Sequence, residues 1–434
     1  MGVAVRPYED ALMLRIRMLN RIDQVSRSRL RRRASPVILN AANNLLMPLL
    51  SPIVSLAVVR LAGADLWGDF VGVMIGVQLA AHAAAWGNKE YLLRRFSFSP
   101  AHAAQAWQSS LATRLLLIVA PLGVTVVFAL SGLASNWLAP AIVWTLGLVV
   151  YQSFDVIVLY KRSFVFSGAV ELAGLGIMLA AILQRQARID LDSLVVLFGV
   201  VTWLKAAAMA IRFRQPFLAT AFGRPLLSRR FDRRYFAQAF PFFALGLTGL
   251  LQSRIDLYVA NHFLPRSELA QYQVFMTFVL FLQSVSNFVL APFVKNIYRA
   301  QVRSILGLSP RLLALGVLVV CLGLPAVWAI LTVHYGFDLP PGTFALGGFA
   351  ALPIFFYLPM IYALYKVGAQ SVVVTINLIG VGVSFALSVA LLPRVGLAGA
   401  VGAAAVAQCC MAAAYSLRSR SLRAGYGIAV PDLS

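Results

Sequence analysis

The chain has 434 residues, of which 60% are hydrophobic and 12% charged, with a mean hydropathy of +0.82. A soluble domain carries roughly 25% charged residues, so this composition excludes a soluble enzyme or binding module and implies a membrane protein. A net charge of +22 would suggest a nucleic-acid partner in a soluble chain; here the question is where the basic residues sit relative to the apolar segments.

Residues 1–36 are rich in arginine and end in the run SRSRLRRRAS. They hold no apolar stretch of the secretory kind, so no cleavable signal is expected. Leu12, Ile16, Leu19 and Ile22 follow helical spacing, which suits either a short helix on an anionic inner leaflet or a disordered basic tail. From Val37 onward the chain reads as apolar runs near the ~20 residues of a bilayer-spanning helix. The predicted spans are approximately 37–61, 66–87, 111–131, 137–160, 164–184, 191–211, 236–260, 269–294, 311–333, 341–365, 368–392 and 396–417. Runs this evenly apolar are helical, not the alternating strands of a barrel.

Charge orients the array. With both termini in the cytoplasm, Arg60, Arg185, Arg188, Arg266 and Arg394 lie outside, and Arg114, Lys205 and Arg254 fall within spans; the remaining lysines and arginines of the 37 all lie on the cytoplasmic side, as basic residues should. This distribution removes any need for nucleic acid. The longest loops, 88–110 and 212–235, are both cytoplasmic, so no external domain is expected. Cys321, Cys409 and Cys410 fall inside apolar runs without metal-binding or disulfide spacing, and neither a cofactor nor a metal is implied.

Internal repetition divides the chain. The junction RLAGADLWGDF (Arg60 to Phe70) returns as NHFLPRSELAQY (Asn261 to Tyr272), with Gly68 and Phe70 matched 202 residues later by Ala270 and Tyr272. Tyr160-Lys161 recurs as Tyr365-Lys366, 205 residues on, and ELAGLG (Glu171 to Gly176) as NLIGVG (Asn377 to Gly382) at 206. The expected fold is therefore an all-α polytopic membrane protein of about twelve helices in two parallel six-helix repeats around a central cavity. Its parts are a basic tail (1–36), a first bundle (37–211), a basic linker (212–235), a second bundle (236–417) and a cytoplasmic tail (418–434).

Polar groups inside spans are the candidate site, because a buried charge costs roughly 2.5–3.5 kcal/mol on insertion scales and normally faces a cavity or a partner. Arg254, Arg114 and Lys205 are candidate substrate contacts, with Asn40 and Asn44, which share a helix face at i and i+4. Against this stand a structural ion pair for Arg254 and snorkelling for the other two basic residues. Arg254 and Asp256, two apart, point to different sides of their helix. Glu171, Asp155 and Asp256 are candidate ion-coupling acids, because burial disfavours the charged form; the alternative for Glu171 or Asp155 is pairing with a basic neighbour such as Lys161 or Arg162. His82 reads as a packing histidine. Pro48, Pro52, Pro241, Pro292, Pro353 and Pro359 either bend helices for a moving mechanism or fit the packing.

The first junction, the run AWGNKEYLLRRF after the second span, RIDLYVANHFLPRSELAQY in the seventh and PRVGLAGAVGAAAVAQ before the twelfth resemble the polysaccharide flippases (O-antigen translocase-like proteins) of the multidrug/oligosaccharidyl-lipid/polysaccharide exporter superfamily. The matching positions are Gly68 and Phe70, Gly87 and Arg94, Asp256, and Gly396, Gly399 and Ala400; Leu66-Trp67 stands where the family usually has an acidic pair. The resemblance spans about 37–420. It implies a non-enzymatic, monomeric flippase of the bacterial inner membrane that moves a polyprenyl-pyrophosphate-linked oligosaccharide outward by alternating access, for surface polysaccharide or exopolysaccharide assembly. Its partners would be that glycolipid, membrane lipids and, if transport is ion-coupled, a proton or Na+. The competing expectations are an ion-coupled drug or metabolite exporter of the same superfamily and, disfavoured by the short external loops, a membrane-embedded glycan polymerase.

Overall fold

The computed structural model describes residues 51–85, 89–119, 123, 136–185, 189–218, 233–290, 293, 297 and 300–425. Every regular element among them is helical: α1 (Ser51–Ala62), α2 (Ala64–Ala84), α3 (Lys89–Phe98), α4 (Ala103–Leu117), α5 (Leu138–Lys161, broken at Phe154), α6 (Phe164–Arg185), α7 (Leu191–Arg212), α8 (Arg233–Phe263), α9 (Arg266–Leu290), α10 (Val302–Tyr335), α11 (Pro341–Lys366), α12 (Gln370–Val395) and α13 (Leu397–Gly425). Nine described helices are long and apolar enough to cross a bilayer. Their outer faces carry large apolar side chains such as Val165, Leu322 and Phe349, each more than 60% exposed, which suits lipid and not water. This is a multi-pass membrane protein with the expected all-helical, two-repeat fold.

The described helices fall on the predicted spans. The basic tail, the first half of span one, most of span three after α4, and most of the 212–235 linker lie outside the described residues. Two boundaries differ from expectation. The first junction is reduced to Gly63, whose φ of +91° lets α1 end at Ala62 and α2 start at Ala64, a conformation that favours glycine; Asp65 thus lies in the first turn of α2, not in a loop. The 88–110 connection is itself ordered as α3 and the start of α4. Proline accounts for the break in α11, where Pro353 restarts the helix after Leu352.

The repeat is visible in which helices pack together. α5 lies against α7 as α11 lies against α13; α6 meets α7 as α12 meets α13; α2 meets α5 as α9 meets α11. The turns match as well, since Arg162 (φ 55°) after α5 and Gly368 (φ 75°) after α11 both take the left-handed conformation. The halves meet chiefly through α2 and α9.

The core is distributed unevenly along the bundle. At the end carrying Gly63, one cluster draws from both halves, including Val58, Phe70, Trp144 and Leu194 with Ala260, Tyr272, Phe275 and Leu331. Toward the opposite end, carrying Lys161 and Lys366, the described residues form two large clusters, besides a small one of Ala81, Ala84, Ile118 and Val149 in the first half. Among the described residues, one large cluster, around Trp107, Phe154 and Phe213, takes only Ala239 from the second half, and the other, around Phe355, Tyr357 and Tyr415, lies wholly within it. Among the described residues, the halves share a core at the Gly63 end and hold largely separate cores at the other.

Candidate functional site

The joint between the halves is built from the two copies of the junction motif. An ideal Cβ at Gly68 would lie 1.9 Å from the Arg266 backbone oxygen, so α2 and α9 approach this closely only because residue 68 has no side chain. Around that contact Trp67 Nε1 donates to Gln273 Oε1 at 2.9 Å, Arg266 Nε meets Asp69 Oδ1 at 3.1 Å, and Arg266 also reaches Asn261 Oδ1. Arg60 donates to the His334 and Val333 carbonyls at the end of α10, while Tyr335 donates its hydroxyl proton to the Pro52 carbonyl. The junction therefore does more than join neighbouring helices within each half: it fastens one half to the other.

The interior charges form two groups at different depths. Glu171 on α6 and Lys205 on α7 each lie seven residues from the Lys161 end of their helix, roughly 10 Å along the axis, and pair at 2.7 Å. Tyr151 on α5 donates a very short hydrogen bond to Glu171 Oε1, and the Lys205 ammonium sits 4.6 Å from the centre of its ring. The pair is well buried, with side-chain exposures of 19% for Lys205 and 8% for Glu171. Pairing with a basic neighbour is thus what the structure shows for Glu171, but the partner is Lys205, not Lys161 or Arg162.

The second group is on α8, nine residues from the Gly63 end for Arg254, roughly 14 Å. Asp256 is 4% exposed, accepts a very short hydrogen bond from Tyr272 of α9 and a 2.9 Å bond from the Leu257 amide. Arg254, two residues earlier, forms no ion pair with Asp256 among the described residues. Arg114, 4% exposed, lies inside the last turn of α4. Asp155 is exposed at the break in α5, not in the interior expected of an ion-coupling acid. His82 Nδ1 contacts the Gln78 carbonyl at 2.8 Å, as a packing histidine does. Asn40, Asn44, Pro48, Pro292 and Gly87 lie outside the described residues. Arg254 and Lys205 are not brought together, and no cluster of His, Cys, Asp or Glu suited to a metal exists among the described residues.

Sequence reasoning missed Tyr151, Tyr272 and Gln273. Tyr151 lies in the span before Glu171 and Tyr272 in the span after Asp256, and no local spacing links either to its acid.

No family profile matches the sequence, and no curated protein matches it significantly. Solved structures do. The fold is that of lipid flippases and multidrug transporters. The chain is similar to an inward closed conformation of the lipid II flippase MurJ, with a TM-score of 0.63 and 12% identity over 88% of this chain and 87% of that one. It is also similar to the eukaryotic MATE transporter AtDTX14 (TM-score 0.53, 12% identity, 91% and 99% covered). A third likeness is to an inward-facing multidrug resistance MATE transporter of the MOP superfamily (TM-score 0.52, 13% identity, 89% and 98% covered). At these identities the likeness establishes the fold and leaves the cargo to be argued from the chain itself.

Proposed function

We propose that the protein is a flippase for a polyprenyl-pyrophosphate-linked oligosaccharide, working by alternating access in a bacterial inner membrane. The observation that carries this is the uneven core: two repeats share one core at the Gly63 end and keep separate cores at the other, with basic groups buried at two depths. The distribution of arginine and lysine favours placing the Gly63 end outside and both termini in the cytoplasm, so the halves part toward the leaflet where lipid-linked sugars are made. A cargo with an anionic pyrophosphate and a bulky polar head needs a hydrated, cationic passage between two bodies. Arg254, whose planar guanidinium suits phosphate oxygens, and Lys205 are assigned to the phosphates at successive depths, with Arg114, Asn40 and Asn44 as further contacts. Glu171 and Asp256 are the groups suited to exchange a proton or Na+; exposed Asp155 is the weaker assignment. The bundles are taken as 37–211 and 236–417, and the protein acts as a monomer without a catalytic site.

A multidrug or metabolite exporter is the second reading, favoured by one observation: the chain covers 99% and 98% of the two multidrug transporters but 87% of the flippase. Deleting the gene separates the two. A flippase predicts lipid-linked oligosaccharide accumulating on the cytoplasmic face; intact surface polysaccharide with altered drug sensitivity would favour the exporter.

A further inference from the structure

The repeat supplies an internal control for the Tyr151, Glu171 and Lys205 triad. Moving each residue forward by 206 positions gives Tyr357, Asn377 and Met411, and the packing of the third residue over a glycine travels with them. In the first half Lys205 packs over Gly174, where a Cβ would lie 2.8 Å from its Cδ. In the second half Met411 packs over Gly380, 206 residues from Gly174, where a Cβ would lie 2.5 Å from its sulfur. Asn377, in place of Glu171, accepts a 3.2 Å hydrogen bond from Tyr415; Tyr357, in place of Tyr151, donates to Gln408 at 2.8 Å. The slot between the second and third helices of each trio is thus a packing device that works without charge. Its first copy alone carries a carboxylate and an ammonium, at a cost in desolvation that a neutral pair avoids.

We propose that the Glu171 and Lys205 pair is an exchange site for a phosphate anion: the anion takes the Lys205 ammonium from Glu171, and Glu171 takes up one proton as it loses its cation. This rests on the reading of the cargo as an anionic pyrophosphate lipid. The Lys205 side chain is 19% exposed and its ammonium lies on a flexible stem, so it can turn from Glu171 to an anion while keeping its place over the Tyr151 ring. An unpaired carboxylate at this depth is too costly to keep and neutralises by protonation. Protons balance: one carboxylate and one proton become one carboxylic acid, and Lys205 stays charged throughout. Facing Glu171 are Tyr151 from α5 and Lys205 from α7; Asp155, a turn further along α5, acts on Tyr151. Tyr151 keeps its bond to Oε1, and the acid proton sits on Oε2, which Lys205 has left. Anion binding and proton uptake thereby occur at one site and in one step.

The test uses the full-length protein in nanodiscs, with geranylgeranyl pyrophosphate and inorganic pyrophosphate as separate probes, read by binding affinity and by the carboxylic-acid C=O band in difference infrared spectra. The expected result is binding of the lipid probe with appearance of that band, its absence in Glu171→Gln, and binding roughly 10- to 100-fold weaker in Lys205→Met, the loss of one charge-assisted contact. Glu171→Asn with Lys205→Met places the two neutral residues of the second half in the first-half slot, without the Tyr415 and Gln408 partners found there, so it should fold and insert while binding as weakly as Lys205→Met. Binding of inorganic pyrophosphate equal to that of the lipid would assign the site to the phosphate group alone and supports the exchange. Wild-type affinity in Lys205→Met, or binding with no carboxyl band, overturns the exchange while leaving the flippase standing. A folded wild-type protein that binds neither probe overturns the cargo assignment and the exchange with it.

Discussion

Gly68→Ala is the sharpest perturbation of the joint between the halves. The added methyl would fall 1.9 Å from the Arg266 oxygen and 2.6 Å from its carbonyl carbon, against a normal C···O contact of about 3.3 Å or more. Because the obstacle is backbone and not the tip of a side chain, α2 and α9 must part by about 1.4 Å, taking the Trp67 to Gln273 bond with them. Overpacking of this kind costs about 1–3 kcal/mol, and the loss falls on the state closed at the Gly63 end. Gly76 is the matched control on the same helix, since a Cβ there meets nothing within 4 Å; Gly76→Ala should be neutral or stabilise by about 0.5–1 kcal/mol through helix propensity. The assay is thermal unfolding in detergent, together with labelling of Val59→Cys by a membrane-impermeant maleimide in a background where Cys321, Cys409 and Cys410 are serine. Gly68→Ala should lower the melting temperature and raise labelling of residue 59 from outside the cell. Equal stability of the two alanine variants, with residue 59 unlabelled in both, would refute the close approach.

Trp67→Phe should cost about 1–3 kcal/mol by leaving the buried Gln273 oxygen without its donor, and Gln273→Leu added to it should recover part of the loss, as thermal melts of the two variants can read. Asp190, the N-cap of α7, accepts from the Ser193 amide at 3.0 Å in a capping box, and the Ser193 hydrogen bonds hold its carboxyl below the ordinary value. Asp190→Ala should therefore cost about 1 kcal/mol near pH 7. A depressed carboxyl contributes stability above its unfolded value and loses it as pH falls through the folded one, so the gap between wild type and variant should be constant at neutral pH and close in the acid range below the usual carboxylate value. Arg162→Gly should raise stability by about 1 kcal/mol, since arginine there holds the left-handed conformation that glycine takes at the equivalent Gly368.

Spans, helical class and repeat were all legible because they are written in local signals: runs near twenty apolar residues, basic residues gathered on one side, and motifs recurring at a near-constant spacing. The pairing of Glu171 with Lys205 was not, because 34 residues separate them and arginines and lysines nearer in sequence competed for the acid. The bond from Tyr272 to Asp256 went unread for the same reason: the tyrosine stands out in the sequence only as a junction residue, while its hydroxyl serves an acid in the preceding span. The meaning of the junction motif changed most. Gly68 and Arg266 sit in the two copies of one motif, and repetition alone cannot tell that the copies touch each other. The repeat did hold one signal left unused: at a spacing of 206, Lys205 falls on Met411 and Glu171 on Asn377, which marks the charges as additions to a slot that packs without them.

The most direct measurement is flipping itself. The purified protein would be reconstituted into liposomes containing a labelled polyprenyl-pyrophosphate oligosaccharide, and the sugar exposed in each leaflet scored with an impermeant glycosidase. Transport predicts that sugar protected in the inner leaflet becomes accessible with time in protein-containing vesicles, more slowly with Lys205→Met and with Arg254→Ala, and not in protein-free ones. Protection that persists in vesicles holding folded wild-type protein, while a drug-like cation leaves the same vesicles, would contradict the flippase assignment.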